Sequence, residues 1–401
     1  MQTTNPDREE PISKMEPMLI AEGSRHRGVL TDLAVELAAQ SAGFRHSLPT
    51  GIATALADLV RSMNCYYSNL IEGHDTHPVD IERALKEDYS LDAIKRDLQL
   101  EAKAHIAVQQ WIDNGGLSGI ATTLAGIRET HLRFIEQLPD SMRWVENPDT
   151  GEKLPIIPGA LRTSDVKVGR HLAVSPGAVP RFMERFEQVY TKLGKTDAIL
   201  GAAAAHHRLA WIHPFMDGNG RVARLMSHAV LLDALDTGAI WSVSRGLARN
   251  VADYKKHLAN ADLDRRNALD GRGNLSEEGL ASFVQFFLQM CIDQVNFMKG
   301  LVQPDKLRTR ILLWAEEEAR LGQLPPKAGT VLEAVLYRGE LPRGEIGPLL
   351  GQTDRNGRRV ISALLELGVL SSNGPRDVLR LAFPARLASR WMPGLFPEQA
   401  G

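Results

Sequence analysis

The chain has 401 residues, 43% of them hydrophobic and 24% charged, with a formal net charge of −2. That length suits two or three domains with real cores, and the near-zero charge excludes a global pull toward nucleic acid or membrane. Two cysteines, Cys65 and Cys291, stand too far apart and outside any ligand spacing, which excludes a disulfide scaffold or a zinc site.

Residues 1–17 are polar, read as a disordered tail, and are unlike a signal peptide; no run approaches a membrane span, so the expected setting is cytoplasmic, with no membrane partner. An N-terminal helical region is expected over 18–115. Within it Ile52, Leu56, Leu59, Val60 and Met63 line one helix face. Further on, Ser68 and Glu72 stand four apart, hence on one face, and Gly73 suits a helix C-cap. Taken alone, that pattern reads as a solvated helix end.

A third region is expected over 116–300. Between about 158 and 180 the helical pattern fails at Pro158, Gly159, Gly169, Pro176, Gly177 and Pro180, and Val166-Lys167-Val168-Gly169 alternates like a short strand. Residues 199–212 then form a strong helix pattern that Pro214 breaks, because its ring disfavours an α-helical residue before it. A second helix is expected from about Asn219 to Leu235, with Val222, Leu225, Met226, Ala229 and Leu232 at helical spacing.

The junction between these helices concentrates chemistry. It reads His213-Pro214-Phe215-Met216-Asp217-Gly218-Asn219-Gly220-Arg221-Val222-Ala223-Arg224. The loop opens into a helix N-terminus, where free N–H groups and the dipole favour an anion. Gly218 and Gly220 allow the backbone to approach phosphate oxygens. Asp217 is a hard oxygen ligand suited to Mg2+ bridging two phosphates. Arg221 and Arg224 share a helix face and can reach a polyphosphate, and His213 has the reference pKa of a general base.

Arg249-Asn250-Val251-Ala252-Asp253-Tyr254 follows a polar turn. Residues 262–274 carry Asp262, Asp264 and Asp270 but lack calcium-loop spacing, so they read as a solvated loop. Ser276 is expected to cap a long apolar helix running through Phe283, Phe286, Phe287 and Met290. The last unit, 301–401, carries helical segments at Thr330–Tyr337, Arg343–Leu350 and Asp354–Leu367; Gly351-Gln352-Thr353 forms the tight turn of a helix-turn-helix. Residues 368–381 then read as a two-stranded wing. Arg355, Asn356, Arg358 and Arg359 fall at the start of the third helix, where DNA contacts are usually made; a protein-interaction role for this unit stands as the alternative.

The 213–224 string resembles the signature of the Fic-domain family, His-Pro-Phe-x-Asp-Gly-Asn-Gly-Arg-x-x-Arg, at every specified position. The resemblance implies a mainly α fold: a Fic helical bundle with a short β-hairpin flap, followed here by a unit that looks like a winged-helix domain. It implies AMP transfer from Mg·ATP to a Tyr, Thr or Ser hydroxyl of a target protein, or of the chain itself. In that reading His213 is the base, Asp217 binds Mg2+, and Gly218-Asn219-Gly220 makes the anion hole. Arg221 contacts the phosphates and Arg224 holds the γ-phosphate. The segment around Ser68 and Glu72 is similar to the family's N-terminal inhibitory motif, which implies that Glu72 competes for Arg224. Residues 159–169, including Arg162, Val166, Lys167, Val168 and Gly169, look like the flap, and Asn250 and Tyr254 are the implied adenine contacts. The alternatives are a DNA-binding transcriptional regulator or toxin–antitoxin component whose core senses nucleotide, and an enzyme of this family that uses another donor or removes AMP. A homodimer is also left open.

Overall fold

The helical periodicities of the sequence correspond to helices in the computed structural model, which describes residues 6–146 and 151–397. In chain order these are α1 (Arg27–His46), α2 (Thr50–Ile71), α3 (Pro78–Leu85), α4 (Ala93–Asp113) and α5 (Leu124–Ile135). Two small antiparallel hairpins follow, β1 (Trp144–Glu146) with β2 (Lys153–Pro155) and β3 (Lys167–Val168) with β4 (His171–Leu172). Next come α6 (Val179–Tyr190), α7 (Lys195–Ile212), α8 (Asn219–Leu235), α9 (Val243–Arg249), α10 (Val251–Ala261), α11 (Glu277–Leu301), α12 (Pro304–Arg320) and α13 (Ala328–Arg338). The chain closes with β5 (Glu340–Leu341), α14 (Ile346–Leu350), α15 (Asp354–Glu366), β6 (Leu370–Ser371), β7 (Leu379–Leu381) and α16 (Ala388–Trp391).

The chain divides into two compact units, one of Met1–Ser41, Asn64–Thr237 and Ser242–Gln294, the other of Ala42–Met63, Gly238–Trp241 and Val295–Gly401. These cut across the expected divisions at 18–115, 116–300 and 301–401. The reason in the first unit is a shared core: Ala104, Val108 and Ile112 of α4 pack with Phe134 and Ile135 of α5 and Leu225 and Ala229 of α8.

At the centre of that unit α7 and α8 pack along their lengths. The alanine run Ala202–Ala205 is fully buried, and its small side chains let the two backbones approach closely. Helix α8 is buried on most of its circumference, as a helix in the middle of a bundle must be. Side-chain caps fix the flanking helices: Asp92 accepts from the amides of Ile94 and Lys95 at the start of α4, and Thr123 from that of Gly126 at the start of α5.

Residues 6–17 depart from the expected disordered tail. They run as a strap along the first unit, because their polar groups find buried partners. Gly177 N–H donates to Pro6 O at 2.9 Å, Glu10 accepts from the Ser175 amide at 2.9 Å, and Arg208 Nη2 donates to Pro17 O at 2.7 Å. Met15 and Met18 are buried beside them.

In the second unit α12 packs on α13, and Trp314 meets Trp391 edge to face at 5.2 Å. Three short strands form an antiparallel sheet in the order β5-β7-β6, with Leu341 opposite Leu379 and Leu370 opposite Leu381. Gly351, at φ 58°, makes the turn between α14 and α15. Gly51 lies so close to Gly339 that a Cβ there would collide with the Gly339 carbonyl.

Candidate active site

Helix α7 ends where Pro214 requires it to. His213 takes the left-handed C-cap conformation (φ 52°, ψ 63°), and its N–H closes on Leu209 O at 3.0 Å. For a residue with a Cβ this costs on the order of 1–2 kcal/mol, and it turns the imidazole out of the helix. The ring nitrogen Nδ1 donates to Ala210 O at 3.3 Å, which leaves Nε2 with its lone pair. Burial lowers the His213 pKa to about 4, with the Arg162 charge acting in the same direction. The imidazole is therefore neutral at neutral pH and can accept a proton.

The following loop is clamped by its own asparagine. Asn219 Oδ1 accepts from Phe215 N–H and Asn219 Nδ2 donates to Phe215 O, both at 2.9 Å. Gly218 sits at φ 79°, a conformation glycine adopts without strain. The first backbone bond into α8 runs from Val222 N–H to Gly218 O, so the N–H groups of Asn219, Gly220 and Arg221 have no intrahelical acceptor. The helix dipole adds to these donors, and together they form an anion site beside His213.

Asp217 stands at the rim, with its side chain 51% exposed. Burial of its surroundings raises its pKa, and the Glu72 charge adds to the effect, while the hydrogen bond from Gly218 N–H opposes them. Among the described residues no group of three or more His, Cys, Asp or Glu side chains gathers around one point. The arrangement fits an ion of the Mg2+ type, which is held by one or two carboxylates with phosphate oxygens and water completing its shell.

The carboxylate of Glu72, at the end of α2, lies directly on this anion site. Arg224 is buried and donates from Nε to Ser68 Oγ at 2.9 Å, from Nη2 to Ser68 O at 3.1 Å, and from Nη2 to Glu72 Oε1. A Cβ on Gly220 would collide with the same Glu72 oxygen. Burial pushes the Glu72 pKa up, but the Arg224 and Arg221 charges outweigh it and hold the group below its ordinary value. Ser68 thus contacts the arginine directly through both hydroxyl and carbonyl.

Arg221, expected on phosphates, is held by a partner the sequence did not disclose. Glu101 of α4 is fully buried; its Oε1 accepts from Arg221, and its Oε2 lies 2.8 Å from His74 Nδ1. Arg221 also lies 3.6 Å from Asp217 Oδ2 and over the Phe134 ring. The signal was present in α4: Glu101, His105 and Gln109 share a buried face with Ala104, Val108 and Ile112, and a charge on such a face needs a buried partner.

The flap hairpin is present, with Lys167 opposite Leu172 and Val168 opposite His171 about a turn containing Gly169 at φ 59°; Val166 O accepts from Ala173 N–H at its base. Arg162, read from the sequence as part of the flap segment, does not face solvent. It is buried and donates to His213 O at 2.7 Å, Ser164 O at 3.0 Å and Val174 O, so it staples the hairpin segment to the loop that begins at His213. Tyr254 is likewise not an open adenine face. It is 4% exposed because its hydroxyl bonds His206 Nε2 at 2.7 Å and accepts from Arg224, and its ring packs near Phe283. Asn250 is exposed and donates to Gly246 O at 3.0 Å. In the other unit Arg355, Asn356, Arg358 and Arg359 are all exposed on the first turns of α15.

Residues 122–231 match the model of the Fic/DOC family. The chain is 29% identical over 171 residues to the proteins called "Protein adenylyltransferase Fic" of Drosophila erecta and Drosophila melanogaster; the match covers 42% of this chain and about a third of theirs (32%). Among solved structures, a Fic family protein of Desulfovibrio desulfuricans G20 superposes with a TM-score of 0.50 at 17% identity, covering 87% of this chain and 96% of that one. Fic-1 (residues 134–508) of C. elegans gives a TM-score of 0.50 at 17% identity over 69% of this chain and 74% of its own. The fold that carries the site is thus shared with these structures, and residues 122–231, which include the whole of the 213–224 loop, are the stretch that matches the Fic/DOC family model.

Proposed function

We propose that this protein is a self-inhibited adenylyltransferase that moves AMP from ATP to a Tyr, Thr or Ser hydroxyl of a target protein or of itself. The observation that carries the reading is the neutral His213, with Nε2 unengaged, beside the free N–H groups of α8. His213 Nε2 takes the proton of the target hydroxyl as its oxygen attacks the α-phosphorus. The bond from that phosphorus to the bridging oxygen breaks, and pyrophosphate leaves. The α8 N–H groups and Arg224 hold the polyphosphate in line, so most of the rate comes from positioning and charge neutralisation. Mg2+ bound by Asp217 would neutralise phosphate charge when present. The β3–β4 hairpin, with Val168 and Leu172 exposed, is suited to aligning an extended target segment by strand pairing.

Glu72 is the brake in this reading. While it engages Arg224, the γ-phosphate lacks its arginine and ATP cannot adopt the productive pose. Replacing His213 by Ala in a Glu72→Gly background should abolish transfer of label from ATP to protein while leaving the thermal transition in place. Persisting transfer would remove His213 from its role.

Residues 328–381 run helix-strand-helix-helix-strand-strand, an order that supports reading this part of the second unit as a winged-helix module. We read it as a DNA- or protein-contacting module, with Arg355, Asn356, Arg358 and Arg359 as the DNA-facing candidates. No helix among the described residues is long and apolar enough to cross a membrane.

A further inference from the structure

One side chain outside the signature touches both the catalytic loop and the root of the flap. His131, on α5, is fully buried, and its ring lies flat on Phe215 with centroids 3.8 Å apart and planes 1° from parallel. Its Nδ1 accepts from Gly159 N–H at 2.9 Å, and its Nε2 donates to Asp217 O at 3.2 Å. Gly159 begins the flap segment at φ 70°, and its carbonyl accepts from Arg128 Nε at 2.8 Å, so both polar groups of that residue are held by α5.

We infer that His131 is a positioning residue for the transfer reaction, setting the Asp217–Gly218 peptide and the flap root against each other. This rests on the function proposed above. The geometry explains why a histidine stands here. One group must donate and the other accept from a single flat ring, which a neutral imidazole does and no other buried aromatic can. With the Asp217 carbonyl turned toward His131, the trans peptide points the Gly218 N–H the opposite way, and that N–H donates to the Asp217 carboxylate. The imidazole therefore fixes, through one peptide plane, the direction of the carboxylate at the rim of the anion site. By its other nitrogen it fixes the distance between that carboxylate and the hairpin that would hold the target. Gly218 lies against the same ring, since a Cβ there would sit 3.5 Å from His131 Cδ2.

The test uses the full chain carrying Glu72→Gly, with His131→Phe and His131→Gln added separately. Phe keeps the stack and loses both hydrogen bonds, whereas Gln supplies a donor without the flat ring. Two readouts do not depend on turnover: amide hydrogen exchange at residues 158–162 and 215–220, and calorimetric binding of ATP with and without Mg2+. The expected result for His131→Phe is faster exchange confined to those two segments and a Mg2+-dependent part of ATP binding weakened about tenfold, with binding in EDTA unchanged. The kcat of AMP transfer should fall by about 10- to 100-fold, the scale of a misplaced reacting group, with His131→Gln in between. Unchanged exchange in both segments and unchanged Mg2+ dependence in a folded His131→Phe protein would overturn the inference; if the Phe variant does not fold, the same readouts on His131→Gln decide. Absence of transfer in the Glu72→Gly parent would count against the proposed function instead, and the exchange and binding results would still decide the role of His131.

Discussion

Replacing Glu72 by Gly should change how the protein distinguishes ATP from ADP. In the structure Glu72 Oε1 and Ser68 together occupy the buried Arg224 guanidinium. A hydrogen bond to a charged group contributes about 1.5–3 kcal/mol, and the Glu72 side chain is 32% exposed, so the lower half of that range applies best. At about 1.4 kcal/mol per factor of ten, the lock leaves the site open for a γ-phosphate roughly one part in 10 to one part in 40 of the time. The apparent affinity for a ligand needing that arginine is reduced by the same fraction. Glu72→Gly should therefore tighten ATP binding by about 10-fold or more, measured by calorimetry with Mg2+, and Glu72→Gln should fall between, because the amide still accepts a hydrogen bond. ADP, which has no γ-phosphate, should gain little. Equal gains for ATP and ADP, or no gain for either, would refute the competition for Arg224.

Three further outcomes follow from the same geometry. Glu101→Ala leaves Arg221 buried without its carboxylate; since removing one partner of a buried pair costs about 3–5 kcal/mol, the denaturant midpoint should drop clearly, and a surface-like loss below 1 kcal/mol would contradict the pairing. Burial lowers the pKa of His105 and His206 to about 3 and of His131 to about 4, so the unfolded chain binds protons more readily than the folded one as pH falls below 6.5. Stability should be full above pH 6.5 and decline toward pH 4, by roughly 2 kcal/mol per histidine at pH 5; a flat urea midpoint between pH 7 and 5 would contradict this. Changing Arg355 and Arg358 together to Ala should abolish a gel shift on a mixed duplex DNA pool if the second unit contacts DNA, whereas an unaltered shift would direct attention to another surface.

Much of the 213–224 loop was legible because its constraints are local. Pro214 forces the end of α7, Gly218 makes the left-handed entry to α8, and Asn219 closes the loop on residues only four positions away. The Ser68–Glu72 spacing also survived, since one helix face brings both to a single arginine. What the sequence concealed is held by long-range pairing. Glu101 lies 120 positions before Arg221, His131 lies 86 before Asp217, and no short spacing links either pair. Arg162 and Tyr254 were visible as residue types, but their burial depends on packing that periodicity alone does not report. The strap of residues 6–17 was hidden for a similar reason: it is polar in composition and ordered by partners on α6, α7 and the flap base.

The most direct test of the account follows the label. The Glu72→Gly protein is incubated with Mg2+ and ATP labelled either at the α- or at the γ-phosphate, with and without His213→Ala, and protein-bound label is counted. Incorporation is expected from α-labelled ATP only, with the γ-label released in pyrophosphate and incorporation lost with His213→Ala. Incorporation from the γ-position, or incorporation that survives the loss of His213, would contradict it.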